Sequence, residues 1–130
     1  MKNGQTAKSQ PVGAAMVVGG GIAGMQASLD LAEQGFKVYL VEKKSAIGGK
    51  MAQLDKTFPT NDCAMCTISP KLVETGRHPN IEVLTMTEVV EISGEAGDFD
   101  VGLRHQPRYV DPELCVACGD CAKVCPIIIP

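Results

Sequence analysis

The stretch AMVVGGGIAGMQASLDLAEQGFKVYLVEKK, residues 15–44, decides the fold. Ala15 to Val18 is a short apolar run that ends in glycines, which is typical of a fully buried parallel strand. Apolar residues then recur at steps of three and four and predict a helix with one apolar face. That face comprises Ile22, Met25, Leu29 and Ala32. Gly35 suits the end of the helix, Val38 to Val41 is a second buried strand, and together they predict a βαβ unit with a right-handed crossover.

The turn between the first strand and the helix has the pattern Gly19-x-Gly21-x-x-Gly24. In such a turn the first glycine permits the tight bend, the second lets the backbone approach a pyrophosphate, and the third lets the helix pack closely. The helix N-terminus adds unpaired N–H groups and a partial positive charge. Glu42 ends the next strand, where a carboxylate accepts hydrogen bonds from ribose hydroxyls and repels a 2′-phosphate. This context favours dinucleotide binding over a glycine loop that only tightens a turn. The predicted binding residues are Gly19, Gly20, Gly21, Ile22, Ala23, Gly24, Glu42 and Lys43.

The middle of the chain predicts a short helix and a small antiparallel group. Ser69 as N-cap and Pro70 at the first helical position predict a helix from Pro70 to about Arg77. Two runs of strand character follow, at Ile81–Thr85 and Glu88–Ile92, and GEAGD makes a turn. After that turn, apolar residues alternate with polar ones at Phe99, Val101 and Leu103. Two prolines between residues 106 and 115 mark a boundary.

Beyond this boundary, the cysteines follow the spacing of a bacterial ferredoxin. The run is Cys115-x-x-Cys118-x-x-Cys121-x-x-x-Cys125-Pro126, and Gly119 allows a tight loop. Zinc is the weaker interpretation, since zinc sites usually use two separated CxxC pairs, and a disulfide framework is weaker still. In two-cluster ferredoxins the fourth cysteine binds the other cluster. We therefore expect the first three cysteines to hold one 4Fe–4S cluster, and the segment to be a truncated domain with half of each site.

Cys63 and Cys66 form a separate CxxC pair within FPTNDCAMCTISPK. A pair just before a helix can be a redox dithiol, because the helix N-terminus favours the thiolate. The two residues can also be ligands of a further cluster that cysteines outside this chain complete, or partly buried thiols without chemistry. The sequence leaves these alternatives open.

Composition narrows the class of protein. The chain has 130 residues and a net charge of -3, without a long basic run, which argues against nucleic acid as the main partner. The polar start lacks the apolar core of a signal peptide, and no apolar run is long enough for a membrane span. These features predict a soluble, cytoplasmic protein whose clustered cysteines are metal ligands or redox groups. No acid–base or nucleophile set is visible, so no catalytic residue is predicted.

The stretch VEKKSAIGGK, residues 41–50, resembles flavoproteins with two dinucleotide-binding domains. In those proteins a Gly-Gly pair, here Gly48 and Gly49, follows the acidic residue and lies near the flavin. The later strands from Ile81 to Leu103 also resemble their β-meander. This resemblance favours FAD over NAD as the bound dinucleotide.

Residues 15–127 resemble the iron–sulfur flavoprotein of heterodisulfide reductase, its A-type subunit, and the relatives of that subunit. The most specific segments are DKTFPTNDCAMC, residues 55–66, and a ferredoxin run that follows the strand group. The resemblance implies a Rossmann-like FAD-binding domain of thioredoxin-reductase type, interrupted by an inserted ferredoxin domain. In that family the flavin passes electrons to iron–sulfur clusters, some complexes bifurcate electron pairs, and a partner subunit reduces the disulfide. The implied partners are the other subunits of such a complex and a ferredoxin, hydrogenase or dehydrogenase as electron donor.

Carried onto this chain, the resemblance implies an α/β fold. It has a Rossmann-like FAD-binding βαβ unit with an antiparallel β-meander, followed by the start of a ferredoxin-like 4Fe–4S insert. The expected divisions are a polar tail at 1–14, a partial FAD-binding domain at 15–106 and the start of a ferredoxin domain at 107–130. The expected function is an FAD- and iron–sulfur-dependent electron-transfer subunit, an oxidoreductase of which this N-terminal portion is inactive alone. The alternatives are a non-enzymatic ferredoxin-type module and an inactive truncated fragment.

Overall fold

The computed structural model describes residues 13–111 and 113–127. The polar tail expected at 1–14 therefore lies outside the described residues except for its last two, as do the final three residues of the expected ferredoxin segment. The elements, in chain order, are β1 (Ala14–Val18), α1 (Ile22–Glu33), β2 (Lys37–Val41), a 3₁₀ turn (Met51–Gln53), α2 (Ala64–Arg77), β3 (Ile81–Leu84), β4 (Thr87–Glu95), β5 (Asp98–His105) and α3 (Asp120–Lys123). The α/β class predicted from the sequence is confirmed.

Three strands form a parallel sheet in the order β1-β2-β3. The register aligns their carboxyl ends, because Val18 pairs with Val41 and Val41 pairs with Leu84. The antiparallel partnership predicted for Ile81–Thr85 was wrong, since β3 lies parallel to β2. The physical reason is α2, which is long enough to cross over the sheet and bring the chain back in the same direction. The loops after β1, β2 and β3 consequently meet at one edge.

A small apolar core lies between the sheet and the two long helices. Its fully or nearly buried members are Met25, Leu29, Ala32, Val38, Leu40, Ile68 and Ile81. Ile22 was predicted to share the buried face of α1, but it is 41% exposed because it opens the helix at the glycine turn. The predicted stop at Gly35 is confirmed, with φ +95° and its N–H bonded to Ala32 O. The Phe36 N–H bonds to Leu31 O, which completes a Schellman end.

Helix α2 begins six residues earlier than the sequence predicted. The Ser69–Pro70 start was wrong, because Pro70 lies inside the helix and Cys63 is the N-cap. A proline there removes one helical hydrogen bond and costs about 3 kcal/mol in an exposed helix. Burial of Ala64, Ile68 and Thr75 along one face offsets that cost.

Strands β4 and β5 form an antiparallel hairpin closed by a two-residue turn at Ala96 and Gly97, where the sequence predicted a turn. A bulge interrupts the register between Val89 and Glu91. One face of the hairpin carries Val89, Ile92, Phe99, Val101 and Leu103, as the alternation predicted. Phe99 on that face is 60% exposed. Among the residues that the structure describes, no helix is long and apolar enough to cross a membrane.

Candidate functional site

The glycine turn lies at the carboxyl edge of the parallel sheet. Gly19 adopts φ +105° and donates its N–H to Val41 O at 2.7 Å, so the turn is fixed to β2. A Cβ at Gly24 would lie only 1.9 Å from Gly19 O, which means that the helix needs glycine here to pack against the turn. Gly21 caps α1 without any side-chain hydrogen bond to the helix N-terminus. The first N–H groups of α1 therefore have no capping side chain.

Glu42 fixes the glycine turn from the end of the neighbouring strand. Its Oε2 accepts a hydrogen bond from Gly20 N–H at 2.7 Å, and its Oε1 accepts one from Lys44 N–H at 2.8 Å. A carboxylate has about four acceptor sites, so these two bonds leave it able to accept further donors such as ribose hydroxyls. Sequence reasoning assigned Glu42 to ribose alone. The structure adds a second role, which is to hold the turn in place.

The Gly48–Gly49 pair contacts the same turn, although 27 residues separate Gly48 from Gly21 in the sequence. Gly48 donates its N–H to Gly20 O at 2.7 Å. Gly49 adopts φ +58°, and a Cβ there would lie 2.9 Å from Gly21 Cα. The structure thus brings together the two glycine segments that the sequence assigned to one cofactor.

The remaining residues of this predicted set lie at its margin. Ile22 and Ala23 are exposed in the first turn of α1. Lys43 is exposed and forms an ion pair with Glu88 at the start of β4. The hydrogen bond from the Lys43 ammonium and its charge lower the pKa of the Glu88 carboxyl. Lys43 therefore connects the end of β2 to the hairpin.

The glycine turn fits a dinucleotide on its own structure. A Cβ at Gly21 would meet no atom within 4 Å, so the backbone borders open space there. Uncapped N–H groups and the positive end of the α1 dipole suit a diphosphate. A bound flavin would supply hydride and single-electron chemistry, while these residues hold and orient it.

Three of the four ferredoxin-type cysteines line one cavity of about 350 Å³: Cys115, Cys118 and Cys121. Cys125 does not line it, and its assignment to a second cluster stays a prediction. Gly119, with φ +81°, bends the chain between the second and third cysteines. In the described ranges, 13–111 and 113–127, no three His, Cys, Asp or Glu side chains already stand in a metal-binding arrangement. Three thiols around one mostly apolar cavity nevertheless form a donor set that suits an iron–sulfur cluster.

Asp120 is the acidic residue next to this loop. A hydrogen bond from Lys123, and then one from the Cys118 thiol, lower the pKa of its carboxyl. The Cys118 Sγ lies 3.6 Å from Asp120 Oδ2. This contact was not predicted from the sequence.

Cys63 and Cys66 lie at the start of α2, and both are exposed with free thiols. Cys66 donates its backbone N–H to Cys63 Sγ at 3.2 Å, so the sulfur itself caps the helix. Hydrogen bonds from the Cys66 side chain and backbone lower the pKa of the Cys63 thiol, and the Asp55 carboxylate opposes this. The hydrogen bond between the two side chains in turn raises the pKa of the Cys66 thiol. The partial burial assumed in the third alternative was wrong, whereas the role of the pair stays open. The apolar spacing of Ala64, Ile68 and Leu72 was the signal for this early helix start.

Two family models match the chain. The FAD dependent oxidoreductase model matches residues 15–97, and the 4Fe-4S binding domain model matches residues 108–127. The chain belongs to the FAD-dependent oxidoreductase family. The predictions of FAD and a 4Fe–4S cluster as cofactors are confirmed by these matches.

Curated relatives confirm the resemblance to the iron–sulfur flavoprotein of heterodisulfide reductase. The chain is 55% identical over 126 residues to an A-type iron-sulfur subunit of CoB–CoM heterodisulfide reductase from Methanopyrus kandleri, covering 97% of this chain and 19% of the relative. It is 57% identical over 116 residues to the A-type subunit of the H(2):CoB-CoM heterodisulfide,ferredoxin reductase from Methanothermobacter marburgensis, covering 89% and 18%. The chain therefore spans less than a fifth of the length of these relatives.

Among solved structures, L-proline dehydrogenase from P. horikoshii superposes with a TM-score of 0.57 at 22% identity. The match covers 75% of this chain and 20% of that one. At this identity the likeness shows the fold alone.

Proposed function

We propose that this chain is the flavin- and cluster-binding part of an electron-transfer subunit in a heterodisulfide-reductase-like complex. Residues 15–106 hold the adenosine diphosphate portion of FAD, and residues 107–130 begin the cluster domain. The two matched stretches, 15–97 and 108–127, support this division. Electrons pass between the flavin and 4Fe–4S clusters, and the disulfide is reduced elsewhere in the complex.

The observation that carries the proposal is the convergence of three segments at one edge of the sheet. Gly20, in the glycine turn, is hydrogen-bonded to both of the other segments. Its N–H donates to the Glu42 carboxylate at 2.7 Å, and its carbonyl oxygen accepts the Gly48 N–H at 2.7 Å. The first N–H groups of α1, a carboxylate and glycine backbone therefore lie together at one edge of the sheet, and these are the groups that bind a diphosphate and a ribose. Gly19, Gly20, Gly21, Ile22, Ala23, Gly24, Glu42, Lys43, Gly48 and Gly49 form the proposed FAD contact set.

For the clusters, we assign Cys115, Cys118 and Cys121 to one 4Fe–4S cluster, because these three line one cavity. Cys125 serves a second cluster, since it lies outside that lining. The run from Cys115 to Cys125 then supplies three ligands to one cluster and one ligand to the other.

The proposed partners are the remaining subunits of the complex and a ferredoxin, hydrogenase or dehydrogenase that donates electrons. The names of the relatives support this, since one belongs to a heterodisulfide,ferredoxin reductase. Six free cysteines suit a reducing compartment, so we place the complex in the cytoplasm.

The test is FAD binding by the chain purified without oxygen, with flavin, iron and sulfide measured on the same sample. Gly21→Ala places a methyl group in the space proposed for the diphosphate without touching any protein atom. We expect this variant to fold like the parent and to bind FAD at least about tenfold more weakly, which corresponds to about 1.4 kcal/mol.

Gly76→Ala in α2 is the matched control, because its added methyl group also meets no protein atom. It should leave FAD affinity unchanged. Equal FAD affinity of the Gly21→Ala variant and the parent would refute the assignment of the glycine turn.

A ferredoxin-type module without flavin is the second candidate function. The cavity shared by three cysteines favours it independently of the glycine turn. Iron and sulfide in a chain that retains no flavin would support this alternative. A chain that holds neither cofactor would instead indicate an inactive fragment.

A further inference from the structure

The Cys63–Cys66 pair has the geometry of an asymmetric dithiol. The two residues are one helical turn apart at the start of α2, so their side chains lie on the same side of the helix. The Cys63 sulfur accepts the Cys66 N–H at 3.2 Å and occupies the N-cap, where a negative charge is most favoured. Cys66 lies inside the first turn. The two sulfurs are therefore chemically unequal.

The surroundings of the pair are open and partly apolar. The loop before α2 is held by an isolated bridge between Lys56 and Cys63 and by a 2.9 Å bond from Thr57 N–H to Asp62 O. Phe58 in this loop is 95% exposed, and Met65, between the two cysteines, is 45% exposed. Both thiols are themselves exposed. The pair is accessible to a small organic ligand.

We propose that Cys63 and Cys66 form a redox dithiol that reduces small disulfides, with Cys63 as the attacking thiolate and Cys66 as the resolving thiol. Cys63 S⁻ attacks one sulfur of the disulfide RS–SR, and the first RS⁻ leaves and takes up the proton lost by Cys63. The Cys66 thiol then loses its proton, attacks Cys63 Sγ and expels the second RS⁻, which takes up that proton. The substrate gains two electrons and two protons, and the chain gains a Cys63–Cys66 disulfide.

The pKa directions of the two thiols agree with these roles. Hydrogen bonds from Cys66 lower the pKa of Cys63, so more of it is thiolate at neutral pH. The pKa of Cys66 is raised, which keeps it protonated until the mixed disulfide forms. The Asp55 carboxylate is the nearby charge that opposes ionisation of Cys63. This activity goes beyond the proposed electron transfer and requires no flavin.

The test treats the full chain, without oxygen, with 2-hydroxyethyl disulfide, an uncharged probe. Trypsin should release residues 57–71, between Lys56 and Lys71, as one peptide that carries both cysteines. The parent should yield this peptide with an internal disulfide. Cys66→Ser should stop at a stable mixed disulfide on Cys63. Cys63→Ser should react about fivefold or more slowly than Cys66→Ser.

Serine is itself a favoured N-cap, so Cys63→Ser preserves the helix start, and far-UV circular dichroism checks the fold. A further comparison uses the guanidinium-denatured chain, in which Cys63 and Cys66 should react at equal rates.

Three results would overturn the proposal. The first is equal reactivity of Cys63 and Cys66 in the native chain, as in the denatured one. The second is a parent chain that stops at the mixed disulfide. The third is that both thiols react only after iron is removed by a chelator, which would make them cluster ligands. Flavin and iron content are measured separately, so failure here leaves the proposed electron-transfer function standing.

Discussion

Gly24→Ala tests how closely α1 must approach the glycine turn. Alanine is intrinsically better than glycine within a helix by about 1 kcal/mol, so propensity alone predicts stabilisation. The structure predicts the opposite, since the added Cβ would lie 1.9 Å from Gly19 O and 3.6 Å from Val17 Cγ1. The nearer contact involves backbone on both sides and has no flexible side chain to yield.

The magnitude follows from what must move. The helix and the turn have to separate by more than about 1 Å, and overpacking of this kind costs about 1–3 kcal/mol. Gly19 is anchored to Val41 by a 2.7 Å hydrogen bond, whose loss adds about 0.5–1.5 kcal/mol. After subtracting the propensity gain, we expect the variant to be about 2 kcal/mol less stable than the parent.

Urea unfolding followed by circular dichroism measures this difference, and Gly76→Ala is the matched control. Gly76 is also helical, but a Cβ there meets nothing, so that variant should gain about 0.5–1 kcal/mol. The two variants should therefore differ by about 3 kcal/mol, which separates their midpoints by roughly 1–3 M urea. If Gly24→Ala were as stable as Gly76→Ala, the close approach of α1 to the turn would be wrong.

Two further substitutions examine single interactions. Thr75 is fully buried, and its hydroxyl has no hydrogen-bond partner within the described part of the chain. Thr75→Val removes this unpaired hydroxyl and should therefore raise the free energy of unfolding by about 1 kcal/mol. An unchanged urea midpoint would contradict this. Lys43 lowers the pKa of the Glu88 carboxyl in the folded chain. The ion pair therefore stabilises the fold at pH values above the pKa that Glu88 has in the unfolded chain, and this stabilisation is lost as the pH falls through the pKa of the folded chain. The stability difference between the parent and Glu88→Gln should accordingly be largest near neutral pH and vanish in acid, as followed by urea unfolding across that range.

The sequence predicted the βαβ unit well because its signals are local. The apolar run, the glycine turn and the stop at Gly35 each act within a few residues, and the structure has all three elements. The full burial predicted for Ala15–Val18 was wrong, because β1 is an edge strand of the described sheet and Val18 is 63% exposed. The start of α2 was missed because Ser69–Pro70 imitates a local helix start, whereas the real helix is held by burial of Ala64 and Ile68 against the rest of the domain. Tertiary packing outweighed the local signal.

The same long-range effect governed β3. Its residues have ordinary strand character, and nothing within them distinguishes a parallel partner from an antiparallel one. The direction follows from the connection, because a helix of 14 residues returns the chain to the same end of the sheet. Placing the helix start correctly would have predicted the parallel partner as well.

The position of α2 also relates the candidate cofactor site to the dithiol. A Cβ at Gly48 would lie 3.6 Å from Leu72 Cδ2 and 3.9 Å from Ile68 Cδ1, so the middle of α2 supports the Gly48–Gly49 segment from below. Cys63 and Cys66 lie at the start of the same helix, five and two residues before Ile68, which is about 7.5 Å and about 3 Å along the helix axis at 1.5 Å per residue. One helix therefore packs its middle against the glycine pair and carries the two thiols at its start.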